Sequence, residues 1–148
     1  MGTTSADEIL THVLCAHARL RERSAQLTGD ALEAARAAGH IRGLVAELSA
    51  LVADYDRLEE TELVPLLSVA DAWGAARVEC LRACHARQRG ALASVAEELD
   101  GSGPPAALIA RIEIAIALLV HDLDEEEAAI PESDALASAT VVTEQTSG

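Results

Sequence analysis

Phenylalanine is absent from the 148 residues, and tryptophan, tyrosine and methionine occur once each. Half the chain is nonetheless apolar, so its core must be built from Leu, Ile, Val and Ala. Such side chains suit closely packed helices better than sheets, whose pleated faces favour aromatic and β-branched residues. Basic residues are also scarce, 11 against 25 acidic, for a formal charge of −14. That field repels phosphate backbones and anionic lipid surfaces, so neither nucleic acid nor a membrane is an expected partner. Long apolar runs are missing too. The greasiest stretch, Ala106 to Val120, is interrupted by Arg111 and Glu113 and is too short to span a bilayer. It reads as a buried helix. Cysteine is sparse and odd in number (Cys15, Cys80, Cys84), and MGTTSADEIL lacks a basic segment followed by an apolar run. The expectation is a reduced, cytoplasmic protein.

The length leaves room for one core, expected over residues 1–133, with a small, polar tail over 134–148. Four helical stretches are expected. The first runs from about Ser5 to Leu27, opened by Ser5 and Glu8 in capping-box spacing. The second runs from about Asp30 to Leu67, and Gly39 can split a short fifth helix from its start. The third follows Asp71 and ends near Leu99; the fourth begins at Pro104–Pro105 and passes Glu127. Apolar residues recur at helical spacing in each: Leu10, Val13, Leu20 and Leu27; Leu44, Leu48, Leu51 and Leu63; Val78, Leu81, Leu92 and Val95; Ile114 and Leu118. Four such stripes on short loops predict an all-α, up-down-up-down four-helix bundle.

Groups able to bind metal interrupt those stripes: His17 in the first, Tyr55 and Glu59 in the second, His85 in the third, His121 and Glu125 in the fourth. Each i, i+4 pair shares one helical face. An ionised carboxylate buried alone costs several kcal/mol, of the order of a small domain's whole stability. Two of them converging on one core call for compensating cations.

A degenerate repeat carries the same message. YDRLEETELVP from Tyr55 and HDLDEEEAAIP from His121 share Asp at the second place, Glu-Glu at the fifth and sixth, an aliphatic at the tenth and Pro at the last. His17 stands 38 residues before Tyr55, and His85 stands 36 before His121. Two similar helical hairpins packed face to face would make a pseudo-twofold cage.

Taken alone, each residue has a plainer reading. His121 with Glu125 is compatible with a surface pair, and His17 or His85 with a hydrogen-bonded core histidine. Tyr55 is either a ligand or a core tyrosine standing where a ligand was lost. His12 reads as exposed and His40 as lying at a helix break. Cys80 and Cys84 read as plain thiols beside His85, since a zinc site would need a second ligand pair. Glu127 reads as solvated, and Pro65 and Pro131 as helix terminators.

Together, His17, Glu59-Glu60 with Pro65, His85, and His121-x-x-x-Glu125 with Pro131 resemble the hemerythrin-like (HHE cation-binding) domain over about residues 7 to 131. The family pattern is H … HxxxE … H … HxxxE, and Tyr55 departs from it where His is usual. The resemblance implies two iron ions with an oxo or hydroxo bridge. It also implies bridging carboxylates at Glu59 and Glu125, with end-on ligands at His17, Tyr55, His85 and His121. A tyrosine here looks like the mycobacterial hemerythrin-like branch, for which the resemblance implies catalase-type breakdown of hydrogen peroxide and related activity toward nitric oxide. Phenolate is a hard anionic donor that favours ferric iron, and Tyr is the axial ligand of haem catalases. Glu60 and Glu126 are the expected proton carriers. The alternative function is an O2, NO or iron sensor, or an iron-holding protein, using the same site without turnover. A monomer or weak homo-oligomer is expected.

Overall fold

A computed structural model describes residues 4–130; Pro131 and the expected 134–148 tail lie outside the described residues. Helix α1 (Ala6–Ala25) opens on a complete capping box. The Glu8 N–H donates to Ser5 Oγ at 3.2 Å and the Ser5 N–H donates to Glu8 Oε2 at 2.9 Å, satisfying two N–H groups that the helix cannot. Helix α2 (Gly29–Ala38) is the short extra helix. It ends at Gly39, whose φ of +73° closes the helix with its N–H on the Ala35 and Arg36 carbonyls. Glycine adopts that left-handed conformation without steric cost.

Helix α3 (Ile41–Leu58), a π-helical turn (Glu59–Leu63) and helix α4 (Val64–Ala70) form one unbroken rod. Pro65 was expected to stop this rod, and it does not. Proline lacks an N–H and its ring crowds the carbonyl four residues back. The chain absorbs this by widening the preceding turn, where the Val64 N–H reaches the Glu59 carbonyl five residues away. Helices α5 (Gly74–Asp100) and α6 (Pro105–Ala129) complete the chain. No strand occurs among the described residues, and no helix among them is long and apolar enough to cross a membrane.

Helix α1 packs on α3 and α6, α3 on α5, and α5 on α6, the cyclic order of an up-down-up-down bundle. The axis is filled by Val13 and Leu20 of α1, Leu48 and Val52 of α3, Leu92 and Val95 of α5, and Ile112, Leu119 and Leu123 of α6. Each such side chain contributes about 1.5–3 kcal/mol of burial. The bend between α4 and α5 is tight at Gly74, where a β-carbon would overlap the Leu67 carbonyl and stand 2.9 Å from that of Ser68. Gly74→Ala should therefore cost roughly 1–3 kcal/mol through overpacking. A urea titration checks this: the midpoint should fall while the slope stays constant, and an unchanged midpoint would refute the close contact.

Candidate metal centre

At mid-height the apolar axis gives way to a polar layer. His17 of α1, Tyr55, Asp56 and Glu59 of the α3 rod, His85 and Gln88 of α5, and Asp122 and Glu126 of α6 are all buried. Four expected residues (His17, Tyr55, Glu59, His85) meet here. The expected α6 pair does not: the His121 and Glu125 side chains are 68 % and 67 % exposed, 3.9 Å apart on the outer face. Glu60 is outside as well, its carboxylate taking two hydrogen bonds from Arg82 of α5 at 2.8 and 3.1 Å. His12 is exposed and pairs with Glu62 at 3.1 Å, and His40 is the N-cap residue of α3.

The displacement on α6 is a matter of helical phase. Ile114, which sets His121 facing inward seven residues on, is itself 67 % exposed. The buried stripe is Ile112, Ala115, Ile116, Leu119 and Leu123, and carrying it forward brings in Asp122 and Glu126. Helix α6 is apolar on nearly every side, so its stripe has no sharp edge. The usable signal was Arg111 and Glu113, both exposed, which mark the solvent side.

Around His17 the contacts are dense. Its Nε2 is hydrogen bonded to the Tyr55 hydroxyl and lies 3.4 Å from Glu126 Oε2. Tyr55 in turn donates to Glu126 Oε2 at 2.5 Å. On the ring's other side, Nδ1 meets Glu127 Oε1 at 2.8 Å, and Glu127 is also held by Arg21 at 3.2 Å. Tyr55 donates to Glu126, which leaves its hydroxyl oxygen able to accept from His17 Nε2, and the carboxylates on both sides of the ring favour its protonated form. Burial alone would lower the His17 pKa, but the hydrogen bonds to Glu126 and Glu127 outweigh it and the pKa is raised. Donor atoms of His17, Tyr55 and Glu126 thus converge on one another. Glu127, read from sequence as solvated, orients the imidazole as the carboxylate partners of metal-ligating histidines do.

The opposite side is looser. His85 Nε2 lies 3.5 Å from Asp56 Oδ1 and 3.6 Å from Glu59 Oε1. Asp56 Oδ2 is held by Arg89 at 2.9 Å, and Asp122 Oδ1 by Arg87 at 3.2 Å. The two aspartates occupy the second place of each repeat, and each has one oxygen tied to an arginine beside Gln88. Their other oxygens, Asp56 Oδ1 and Asp122 Oδ2, are buried without a partner among the described residues. So are both oxygens of Glu59, Glu126 Oε1 and His85 Nε2. Buried polar atoms are normally paired, because each unpaired one costs about 1–3 kcal/mol.

Electrostatics agree with the geometry. Burial pushes the fully buried Glu59 up to about 7, with His85 opposing and Glu126 adding to the rise, and burial raises Asp56 as well. The His85 pKa is also raised, since Glu59 and Asp56 overcome the burial that would lower it. His17, Asp56, Glu59 and His85 are thus all shifted toward holding protons, as expected where negative charge is in excess. Ligand atoms of His17, Glu59 and Glu126 lie within 4.8 Å of one another. Carboxylate oxygens with imidazole nitrogens suit a borderline or hard transition-metal cation. The residues fit a metal.

No curated protein and no solved structure matches the chain. The family model described as Hemerythrin HHE cation binding domain matches residues 9–131, a span containing every residue of the buried polar layer. The chain belongs to the hemerythrin HHE cation-binding family.

Proposed function

We propose that this protein holds two iron ions in its buried polar layer and breaks down hydrogen peroxide. His17, Tyr55 and Glu126 would hold one ion and His85 with Asp56 the other. Glu59 stands within reach of both histidines and would be shared, while Asp122 adds its free oxygen. When bound, such a pair supplies Lewis-acid and redox chemistry.

The chain's own residues supply the rest. Glu127 fixes the His17 ring so that Nε2 points inward. Glu126 accepts the Tyr55 proton across 2.5 Å and is positioned to carry a proton to or from a small molecule bound beside it. Arg87 and Arg89 hold the two aspartates so that one oxygen of each faces the interior. Peroxide disproportionation balances by itself, two peroxides giving two waters and one O2, so no external reductant is required.

The observation carrying this reading is the Tyr55 phenol at the heart of the cluster, the only tyrosine in the chain. A phenolate on ferric iron should give a visible charge-transfer band. Tyr55→Phe is expected to remove that band and lower O2 evolution from added peroxide at least about tenfold, a change of roughly 1.4 kcal/mol in barrier. An unchanged band would show that Tyr55 is no ligand. Iron-loaded wild type that evolves no O2, but binds O2 or NO reversibly after reduction, would favour the sensor or carrier reading.

A further inference from the structure

The polar layer is also the floor of a cavity of about 850 Å³ that opens at the surface beside Trp73. Water occupies about 30 Å³ per molecule in the liquid, so peroxide needs only a small fraction of this space. Cavities of about 300–1,000 Å³ with apolar walls and a few polar groups at one end are those that take organic ligands. Here the wall is Leu63, Leu67, Trp73, Ala76, Leu81 and Ile130, with Arg77 and Arg87 also on it but tied to Asp71 and Asp122, and the floor is His17, Tyr55, Glu59, Asp122 and Glu126. The outward pair His121 and Glu125 lies on the rim. Trp73 is the chain's only tryptophan and is 68 % exposed at the edge of this apolar wall.

We propose that this cavity binds an aliphatic chain with an oxygen-bearing head group, the head at the carboxylate–histidine floor and the chain along the apolar wall. The polarity of the two ends sets the direction. A hydrocarbon end pushed to the floor would lie against Glu59 and Glu126 and offer nothing to their buried oxygens, which have no partner among the described residues. An anionic head at that floor is repelled unless cations sit among the carboxylates. Placement of the head therefore rests on the metal reading above, whereas placement of the chain does not.

Two titrations on the full chain separate these points, both followed through Trp73 fluorescence and kept below micelle-forming concentrations. Redox-silent zinc-loaded protein receives hexanoate, octanoate and decanoate, and metal-free protein receives the matching neutral alcohols. Affinity is expected to rise about threefold to fourfold per added methylene in each series. Metal-free protein should bind the carboxylates far more weakly than zinc-loaded protein does. Ala76→Phe, an exposed position on the wall, should flatten both series and weaken decanol binding at least about tenfold, with zinc content unchanged. No dependence on chain length, or an Ala76→Phe protein that titrates like wild type, overturns the proposal. Alcohols that bind while carboxylates ignore zinc would overturn placement of the head. Failure to load zinc would count against the metal reading while the alcohol series still decides the cavity.

Discussion

Glutamine in place of Glu59 is expected to stabilise the metal-free protein while abolishing its metal content. The carboxylate is wholly buried and neither oxygen has a hydrogen-bond partner. Burial raises its pKa from 4.5 to about 7. A carboxylate whose folded-state pKa is raised destabilises the fold above that pKa, and the penalty fades as pH falls through 7 toward the unfolded value. Each pKa unit corresponds to about 1.36 kcal/mol, so at pH 8 the metal-free wild type should be less stable than Glu59→Gln by roughly 3 kcal/mol. At pH 5 the gap should shrink to below about 1 kcal/mol, because the folded-state acid is protonated there and close to isosteric with the amide. Added metal should reverse the order at pH 8, stabilising wild type through mass action and leaving the variant unmoved. Thermal melts at both pH values, with and without metal, check all of this. A metal-free variant melting below wild type at pH 8 would show that Glu59 has a partner which the geometry does not contain.

The second large effect concerns the face of α6. Asp122→Asn with Glu126→Gln should reduce bound metal by at least one ion per chain, since it neutralises two inward carboxylates and leaves their amides among the remaining donors. His121→Ala with Glu125→Ala should leave metal content unchanged, because both side chains lie on the outer face and pair with each other rather than with the buried cluster. Alanine on an exposed helical face is neutral or slightly stabilising. Elemental analysis of the two purified double variants gives the answer. Loss of metal from the alanine pair, with retention in the amide pair, would mean that α6 is rotated by about one residue from the arrangement described here.

That contrast shows where legibility in the sequence ended. His17 and the Tyr55–Glu59 pair sit on helices whose apolar stripes have clear edges, and His85 follows the buried Val78 and Leu81 at one-turn spacing, so counting by three and four placed all four inward. On α6 the same counting began from Ile114 and came out one position off, because a helix apolar nearly all round does not declare its phase. Glu127 could not be read at all. Its value comes from His17, 110 positions away in the chain and 2.8 Å away in space. Asp56 and Asp122 were visible as matching places in the repeat, but not as buried groups tethered by Arg89 and Arg87.

An all-helical bundle follows from the residue pattern alone, since apolar residues at helical spacing with few aromatics have no better way to be buried. So does the interruption of the core by metal-binding groups, because such residue types cannot be hidden there alone. Which carboxylates meet, which oxygens lack partners, and that a cavity ends against them became visible in three dimensions. Those facts depend on the rotation of each helix about its own axis. That rotation is fixed by side chains of neighbouring helices interlocking, and local spacing does not encode it where a helix is apolar on every side.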